Sequence, residues 1–285
     1  MNSSRINRII DQLFKVFAIV CTFIGISVLG VLLFDVFSRG LERLSWDFLT
    51  NLPSRFPEKS GIYTALYGMV WLLVLTILIS FPIGIGAGIY LEEYGKKNRL
   101  ARFIEVNIAN LAGVPSVIYG ILGLQVFNRM MQLGNSLLTG ALTLALLILP
   151  VIIVSTREAI KAVPKSLREG SLALGATKWQ TIRRVVLPSS MGGIITGLIL
   201  SISRAIGETA PLIVIGALVY VPFVPKGPMD EFTVLPIQIF NWTTRPQQGF
   251  VINAAAAIIV LLIFTFFLNG IAVYLRNRWY RKLKG

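Results

Sequence analysis

The apolar residues of this chain fall into six long runs, each bounded by charged residues or by Pro, Gly or Asn. A helix needs about 20 mostly apolar residues to cross the hydrocarbon core of a membrane, and each run reaches that length. The pattern therefore predicts six membrane-spanning helices. No small-residue cleavage site follows the first run, so we expect it to remain as a span rather than to be removed as a signal peptide. The predicted spans cover residues 16–37, 65–90, 106–127, 137–156, 194–220 and 251–275.

Composition supports a membrane protein and indicates its orientation. Of 285 residues, 55% are hydrophobic and 14% are charged, which excludes an ordinary soluble domain, where about a quarter of the residues are charged. The net charge is +14. Nineteen Lys and Arg residues lie in the N-terminal segment, the second and fourth connections and the tail, against seven in the remaining connections. Because positive loops stay in the cytoplasm, both termini are predicted to be cytoplasmic, and nucleic acid is not needed to explain the charge.

Residues suited to catalysis are scarce. The chain has no histidine and one cysteine, so it lacks the commonest general base and cannot form an internal disulfide or a cysteine-rich zinc site. It has no G-x-x-x-x-G-K-[ST] phosphate-binding motif, since the Gly95-Lys96 pair lacks the upstream glycine. We therefore expect no cofactor and no metal on this chain, and a membrane-embedded enzyme is the weakest interpretation.

The connection between the fourth and fifth spans is long and patterned. Two capping-box spacings, Ser166 with Glu169 and Thr177 with Gln180, predict two short helices. Gly175 lies between them, and glycine ends a helix at little conformational cost. The pattern predicts a compact helical hairpin that docks on a partner. The alternative is an amphipathic segment that lies on the inner leaflet of the membrane.

The run EGSLALGATKWQTIRRVVLP in this hairpin resembles the EAA loop of the binding-protein-dependent ABC importer permeases. Gly170 and Ser171 replace the two alanines of that pattern and Val185 replaces its isoleucine, and all three keep the small or apolar character. The resemblance implies a coupling helix that sits in a groove of a separate ATPase subunit. It also implies an all-α, polytopic type I ABC importer permease fold of six transmembrane helices. The matching positions are Glu169, Gly170, Ser171, Gly175, Val185, Leu187 and Pro188.

Two charged residues, Arg204 and Glu208, lie inside the predicted fifth span. A charge in the membrane is costly, so such residues are functional candidates. Their four-residue spacing predicts one shared helix face. The planar donor fork of an arginine suits an oxyanion, and the hydroxyls of Ser203 and Thr209 are candidate additional donors. The alternative is an ion pair that only neutralises the two charges or ties helices together.

The run SRAIGETAPL around these charges resembles the fifth-span signature of the phosphate-importer permeases, and LAGVPSVIYGILG resembles their third span. Within that group the chain is closer to the PstA-type subunits than to the PstC-type subunits. The resemblance implies phosphate as substrate, with Arg204 and Glu208 in the translocation path. It implies as partners a PstC-type permease subunit, a dimer of PstB-type ATP-binding subunits and a PstS-type phosphate-binding protein that is periplasmic or lipid-anchored. Sulfate, molybdate or phosphonate is the nearest alternative substrate, and a transporter or channel without an ATPase is a further alternative.

The resemblance implies that the protein lies in a bacterial plasma membrane. These inferences divide the chain into three parts. Residues 1–63 hold the N-terminal segment, the first span and an outer loop; residues 64–275 form the transmembrane domain, with the coupling loop at 157–190; and residues 276–285 form a basic tail. Glycines 84, 86 and 88 are spaced for close helix contact. The outer segments at 38–64 and 221–250 are expected to form short interfacial helices or solvated loops.

Overall fold

The structure, a computed structural model, describes residues 3–95, 99–217 and 220–284. Within these ranges it is helical, and the β-type pairing is limited to an isolated bridge between Ser136 and Glu231. π-helical turns extend α3 and α5 and join α8 to α9. The helices are α1 (Ser3–Gly40), α2 (Trp46–Thr50), α3 (Tyr63–Ile89), α4 (Arg99–Ala112), α5 (Ser116–Gly123), α6 (Leu137–Lys161), α7 (Lys165–Ala173), α8 (Lys178–Thr181), α9 (Leu187–Gly207), α10 (Ala210–Val214), α11 (Leu235–Thr243) and α12 (Gln248–Lys284).

Among the described residues, five helices are long and apolar enough to cross a membrane: α1, α3, α6, the continuous α8–α9 rod and α12. They confirm the first, second, fourth and sixth predicted spans. The third predicted span is not one straight helix, because α4 and α5 are bent by 109°. Pro115 precedes α5 in extended backbone, with φ −55° and ψ 137°. Proline also disfavours helical backbone in the residue before it, which explains the break. Counted as one broken span, this pair is the sixth.

The prediction that the fifth span continues to residue 220 is wrong. α9 ends at Gly207, Glu208 is extended with φ −77° and ψ 120°, and the chain turns helical again only in α10. Pro211 explains the break because it has no N–H to bond the Gly207 carbonyl. Proline is tolerated near the start of α10, where a backbone donor has no helical partner. Residues 218 and 219 of the predicted span lie outside the described residues.

Small residues allow α3 to pack closely on α6. A Cβ atom added at Gly84 would lie 2.5 Å from Cγ2 of Ile152, and one added at Gly88 would lie 2.7 Å from Cβ of Thr156. At Gly86 an added Cβ would meet nothing within 4 Å. The predicted close contact is therefore confirmed for the first and third glycines and is wrong for the second, which lies on another face of the helix.

The segments at the end of the bundle opposite α7 and α8 are not solvated loops. Phe48 of α2 and Trp242 of α11 are fully buried, with ring centroids 6.1 Å apart. Arg43 joins this layer to α12: its Nε donates to Oδ1 of Asn253 at 2.9 Å, and one terminal nitrogen donates to the Glu58 carbonyl at 2.7 Å. The short helices predicted for these segments are confirmed. Together they form a packed layer at the end of the bundle away from α7 and α8.

Candidate functional site

Arg204 lies in the last turn of α9, at the point where the helix breaks. Its Nε donates to Oε1 of Glu208 at 3.3 Å. The sequence prediction that both residues share a helix face is wrong, because Glu208 follows the end of α9 in extended backbone. The structure nevertheless brings the two side chains together.

The guanidinium of Arg204 keeps donors for a further ligand. Its side chain is 37% exposed and that of Glu208 is 17% exposed. Within the described residues, Nε is the one nitrogen of Arg204 with a hydrogen-bond acceptor, so both terminal nitrogens remain available. A cation in the last turn of a helix is also favoured by the negative end of the helix dipole. The position therefore stabilises the positive charge of Arg204 and leaves both terminal nitrogens free to donate to a ligand.

The two hydroxyls predicted to assist Arg204 have other neighbours. The Ser203 hydroxyl lies 2.9 Å from the Ile199 carbonyl and 2.6 Å from Oδ1 of Asn269, so it faces α12. Thr209 follows the helix break, and its hydroxyl makes a long bond of 3.5 Å to the Gly207 carbonyl. The structure thus does not bring the Ser203 hydroxyl together with Arg204, whereas Thr209 lies beside Glu208 in the break.

Tyr119 of α5 is a site residue that the sequence analysis did not identify. Its hydroxyl donates to the Leu111 carbonyl at 2.8 Å, which satisfies a carbonyl at the end of α4. Tyr119 belongs to the same buried cluster as Ala205 and Ile206, which flank the end of α9 beside Arg204 in the chain. α5 packs against α10, since a Cβ added at Gly120 would lie 2.7 Å from Cα of Pro211. The broken third and fifth spans therefore meet at the Arg204 site.

The hairpin formed by α7 and α8 agrees with the sequence pattern in most respects. Thr177 and Gln180 form the predicted capping box at the start of α8. Gly175 has φ +83°, a conformation that favours glycine, and it ends the first helix as predicted. The first capping box is wrong: α7 begins at Lys165 without a side-chain cap, and Ser166 lies inside it. Pro164 is the N-cap of α7, with φ −55° and ψ 137°. It separates α7 from α6, because proline disfavours helical backbone in the residue before it.

The residues of the EAA-like pattern lie on α7, in the turn that follows it, and from the π-helical turn to the start of α9. Its outer surface carries exposed apolar side chains, including Leu174 and Trp179. A groove of ≈ 640 Å³ runs between α7 and α8. Glu169, Gly170 and Ser171 lie on α7, Gly175 lies in the turn, and Leu187 and Pro188 begin α9. α8 continues into α9 through a π-helical turn, so the hairpin and the helix that carries Arg204 form one continuous rod.

The hairpin is anchored to α3 and α6. Arg168 of α7 lies 3.3 Å from Oε1 of Glu93, and both side chains are mostly buried, at 16% and 11% exposure. The same guanidinium donates to the Ile160 carbonyl of α6 at 2.6 Å. Lys178 of α8 donates to the Glu93 carbonyl and lies 4.2 Å from the ring centroid of Tyr94. The α7–α8 hairpin is therefore bonded to the ends of two spans besides its own.

Comparison with known proteins identifies the family. Residues 84–281 match the family described as binding-protein-dependent transport system inner membrane component. The chain belongs to this family. This permease is 32% identical to the "Probable ABC transporter permease protein YqgI" of Bacillus subtilis, covering 97% of this chain and 98% of the relative. It is 34% identical to the "Phosphate transport system permease protein PstA 1" of Mycobacterium tuberculosis, covering 86% of this chain and 81% of the relative.

Solved structures agree on the fold of the permease. The inward-facing MetNI methionine ABC transporter aligns with a TM-score of 0.64 at 18% identity, covering 76% of this chain and 97% of that chain. A bacterial alginate ABC transporter in complex with its periplasmic protein aligns with a TM-score of 0.71 at 16% identity, covering 94% and 95%. These likenesses show the predicted type I ABC importer permease fold. The relatives are permease subunits, which are not themselves enzymes.

Proposed function

We propose that this permease is the PstA-type subunit of an ATP-driven importer that moves inorganic phosphate across the bacterial plasma membrane. The observation that carries this proposal is Arg204 at the break of α9, with one carboxylate partner among the described residues and two unused terminal nitrogens. Relatives named as phosphate transport permeases support phosphate as the substrate: the M. tuberculosis protein, and a Pasteurella multocida PstA that is 31% identical over 91% of each chain.

Phosphate recognition at this site follows from the chemistry of the pair. A guanidinium matches two oxygens of a phosphate in a bidentate geometry, which its contact with one Glu208 oxygen does not provide. Phosphate and Glu208 are both negative, so binding of the anion repels the carboxylate. We propose that Glu208 holds Arg204 while the site is empty and releases it when phosphate arrives.

Coupling to ATP is assigned to the α7–α8 hairpin. We propose that two PstB-type subunits hydrolyse ATP and push on the exposed apolar surface around Leu174 and Trp179. The α8–α9 rod and the contacts of Arg168 with Glu93 and with the Ile160 carbonyl would transmit this movement to three spans, α9, α3 and α6. The Arg204 site would then change its exposure from the outer to the inner side of the membrane, as alternating access requires. A PstC-type permease would form the other half of the path, and a PstS-type protein would deliver phosphate.

The test is ATP-dependent uptake of labelled phosphate into liposomes that contain the whole reconstituted complex. Arg204→Ala is compared with Arg129→Ala, which removes an exposed arginine outside this site. We expect uptake to survive excess unlabelled sulfate and to be lost in Arg204→Ala but not in Arg129→Ala, while all complexes assemble. Uptake that sulfate abolishes would assign the site to another oxyanion. Normal uptake in Arg204→Ala would reduce the Arg204–Glu208 pair to a structural ion pair.

A further inference from the structure

A cationic cavity lies at the hairpin end of the bundle, separate from the Arg204 site. It has a volume of ≈ 580 Å³, and its walls come from the end of α3, from α4, from the end of α6 and from α7. Four elements therefore converge on one space. The cations that line it are Arg99, Arg102, Arg157, Lys161, Lys165 and Arg168.

Three of these six cations are paired with carboxylates. Arg157 lies 2.5 Å from Oε1 of Glu105 and 3.3 Å from Oε2 of Glu92, and so holds α4 against α3 and α6. The other two pairs are the Arg168–Glu93 contact and an exposed contact of 3.6 Å between Lys161 and Glu158.

The other three cations give the cavity its excess charge. No carboxylate of the described residues pairs with Arg99, Arg102 or Lys165. Six cations thus face four carboxylates, an excess of two positive charges in the described part of the chain. A dianionic ligand would balance this excess, and a monoanionic ligand would reduce it by half.

The surroundings of the cavity favour a phosphate group at a membrane surface. Arginines from α4 and α6 offer planar donor forks that match phosphate oxygens. On the same α4, Phe103 is 66% exposed and Val106 is 54% exposed. A helix with exposed apolar residues beside basic ones is typical of the membrane interface. Basic pockets between spans on the cytoplasmic side bind lipid headgroups by this chemistry.

We propose that this cavity binds a phosphate group, carried by an anionic phospholipid or present as free phosphate, and that Arg99 and Arg102 are its principal donors. A bound phosphate would tie α4 to α6 and α7. It would thereby brace the helices that anchor the coupling hairpin. The proposal does not depend on which substrate passes the Arg204 site.

The lipid source is tested by native mass spectrometry of the complete complex, with phosphatidylglycerol and phosphatidylethanolamine added in equal amounts. The variant Arg99→Gln/Arg102→Gln is compared with Arg183→Gln/Arg278→Gln, which removes the same charge from exposed positions outside the cavity. We expect the first variant alone to lower phosphatidylglycerol retention, by about 30-fold for two cations at an anionic surface.

Binding of free phosphate is tested by equilibrium dialysis of the complex without its phosphate-binding protein, using labelled inorganic phosphate. Every sample carries Arg204→Ala, so that the Arg204 site does not contribute. Phosphate binding that Arg99→Gln/Arg102→Gln removes, without selective lipid loss, would support the cavity as a site for free phosphate. Selective loss of phosphatidylglycerol would support a lipid headgroup. If neither probe binds, or if both variants change binding equally, the proposal is overturned and the cations serve only membrane orientation.

Discussion

The two glycines Gly84 and Gly86 allow the contact between α3 and α6 to be measured by a single methyl group. A methyl at Gly84 would lie 2.5 Å from Cγ2 and 2.9 Å from Cβ of Ile152, whereas a methyl at Gly86 would meet nothing within 4 Å. Both substitutions to alanine remove a glycine from the interior of the same helix. The gain in helix propensity of about 1 kcal/mol is therefore common to both variants. The difference in their free energies of unfolding then measures the steric clash with Ile152.

The size of the collision follows from the surroundings of Ile152. This side chain is fully buried, and a β-branched residue in a helix has one strongly preferred χ1 rotamer. Rotation of the side chain therefore does not relieve the contact, and the helices must separate. Overpacking of this kind costs about 1–3 kcal/mol. We expect Gly84→Ala to be less stable than Gly86→Ala by that amount, a change of roughly 5- to 150-fold in the unfolding equilibrium constant.

The assay is reversible unfolding of the purified chain in mixed micelles, followed by circular dichroism. Ile152→Ala is added in each background, because it removes the Cγ2 atom that the new methyl would meet. Alone it costs about 2–5 kcal/mol by leaving a cavity, and beside Gly84→Ala it should cost less since the methyl fills part of that space. Equal stability of Gly84→Ala and Gly86→Ala would refute the close packing of α3 on α6.

Three further predictions concern coupling to ATP and the layer around Arg43, α2 and α11. Glu208→Gln should raise ATP turnover without transport, since Arg204 loses its partner in the empty site; unchanged phosphate uptake per ATP in liposomes would contradict this role. Arg168→Met should lower phosphate uptake per ATP more than Lys161→Met, because Arg168 is mostly buried against Glu93 whereas Lys161 is in an exposed pair. Equal uptake per ATP in the two variants would show that the Arg168–Glu93 contact does not anchor the hairpin. Arg43→Lys should speed hydrogen exchange in residues 44–62 by loosening several carbonyl bonds, and protection equal to the parent would show that the arginine fork is dispensable.

The sequence predicted the fold class because span length is a local property. Four spans match single helices, since about 20 apolar residues are enough to set a helix in a membrane. The same rule failed for the third and fifth spans, where apolar residues continue through a break in the helix. Pro115 and Pro211 were visible signals, but proline is also tolerated within membrane helices. Pro150 lies inside α6 without ending it, so proline alone did not distinguish the two outcomes.

The sequence predicted the charged residues of the candidate site but not the residues that surround them. Arg204 and Glu208 stood out because charge is rare inside a span. Tyr119 did not, because an aromatic residue in an apolar run gives no signal until its neighbours are known. Ser203 was expected to face the anion, but Asn269, which is distant in sequence, lies 2.6 Å from its hydroxyl. The orientation of a hydroxyl depends on such partners rather than on spacing.

The sequence by itself determined how many apolar segments the chain has, which segment forms the α7–α8 hairpin, and which charges lie among apolar residues. These are properties of composition and short-range spacing, and each can be evaluated within one or two helical turns. Only the tertiary structure decided where α9 breaks, that α5 meets α10 beside Arg204, and that α3, α4, α6 and α7 enclose a cationic cavity. The physical reason is that each of these depends on contacts between residues far apart in the chain, whose energies arise only when the helices pack.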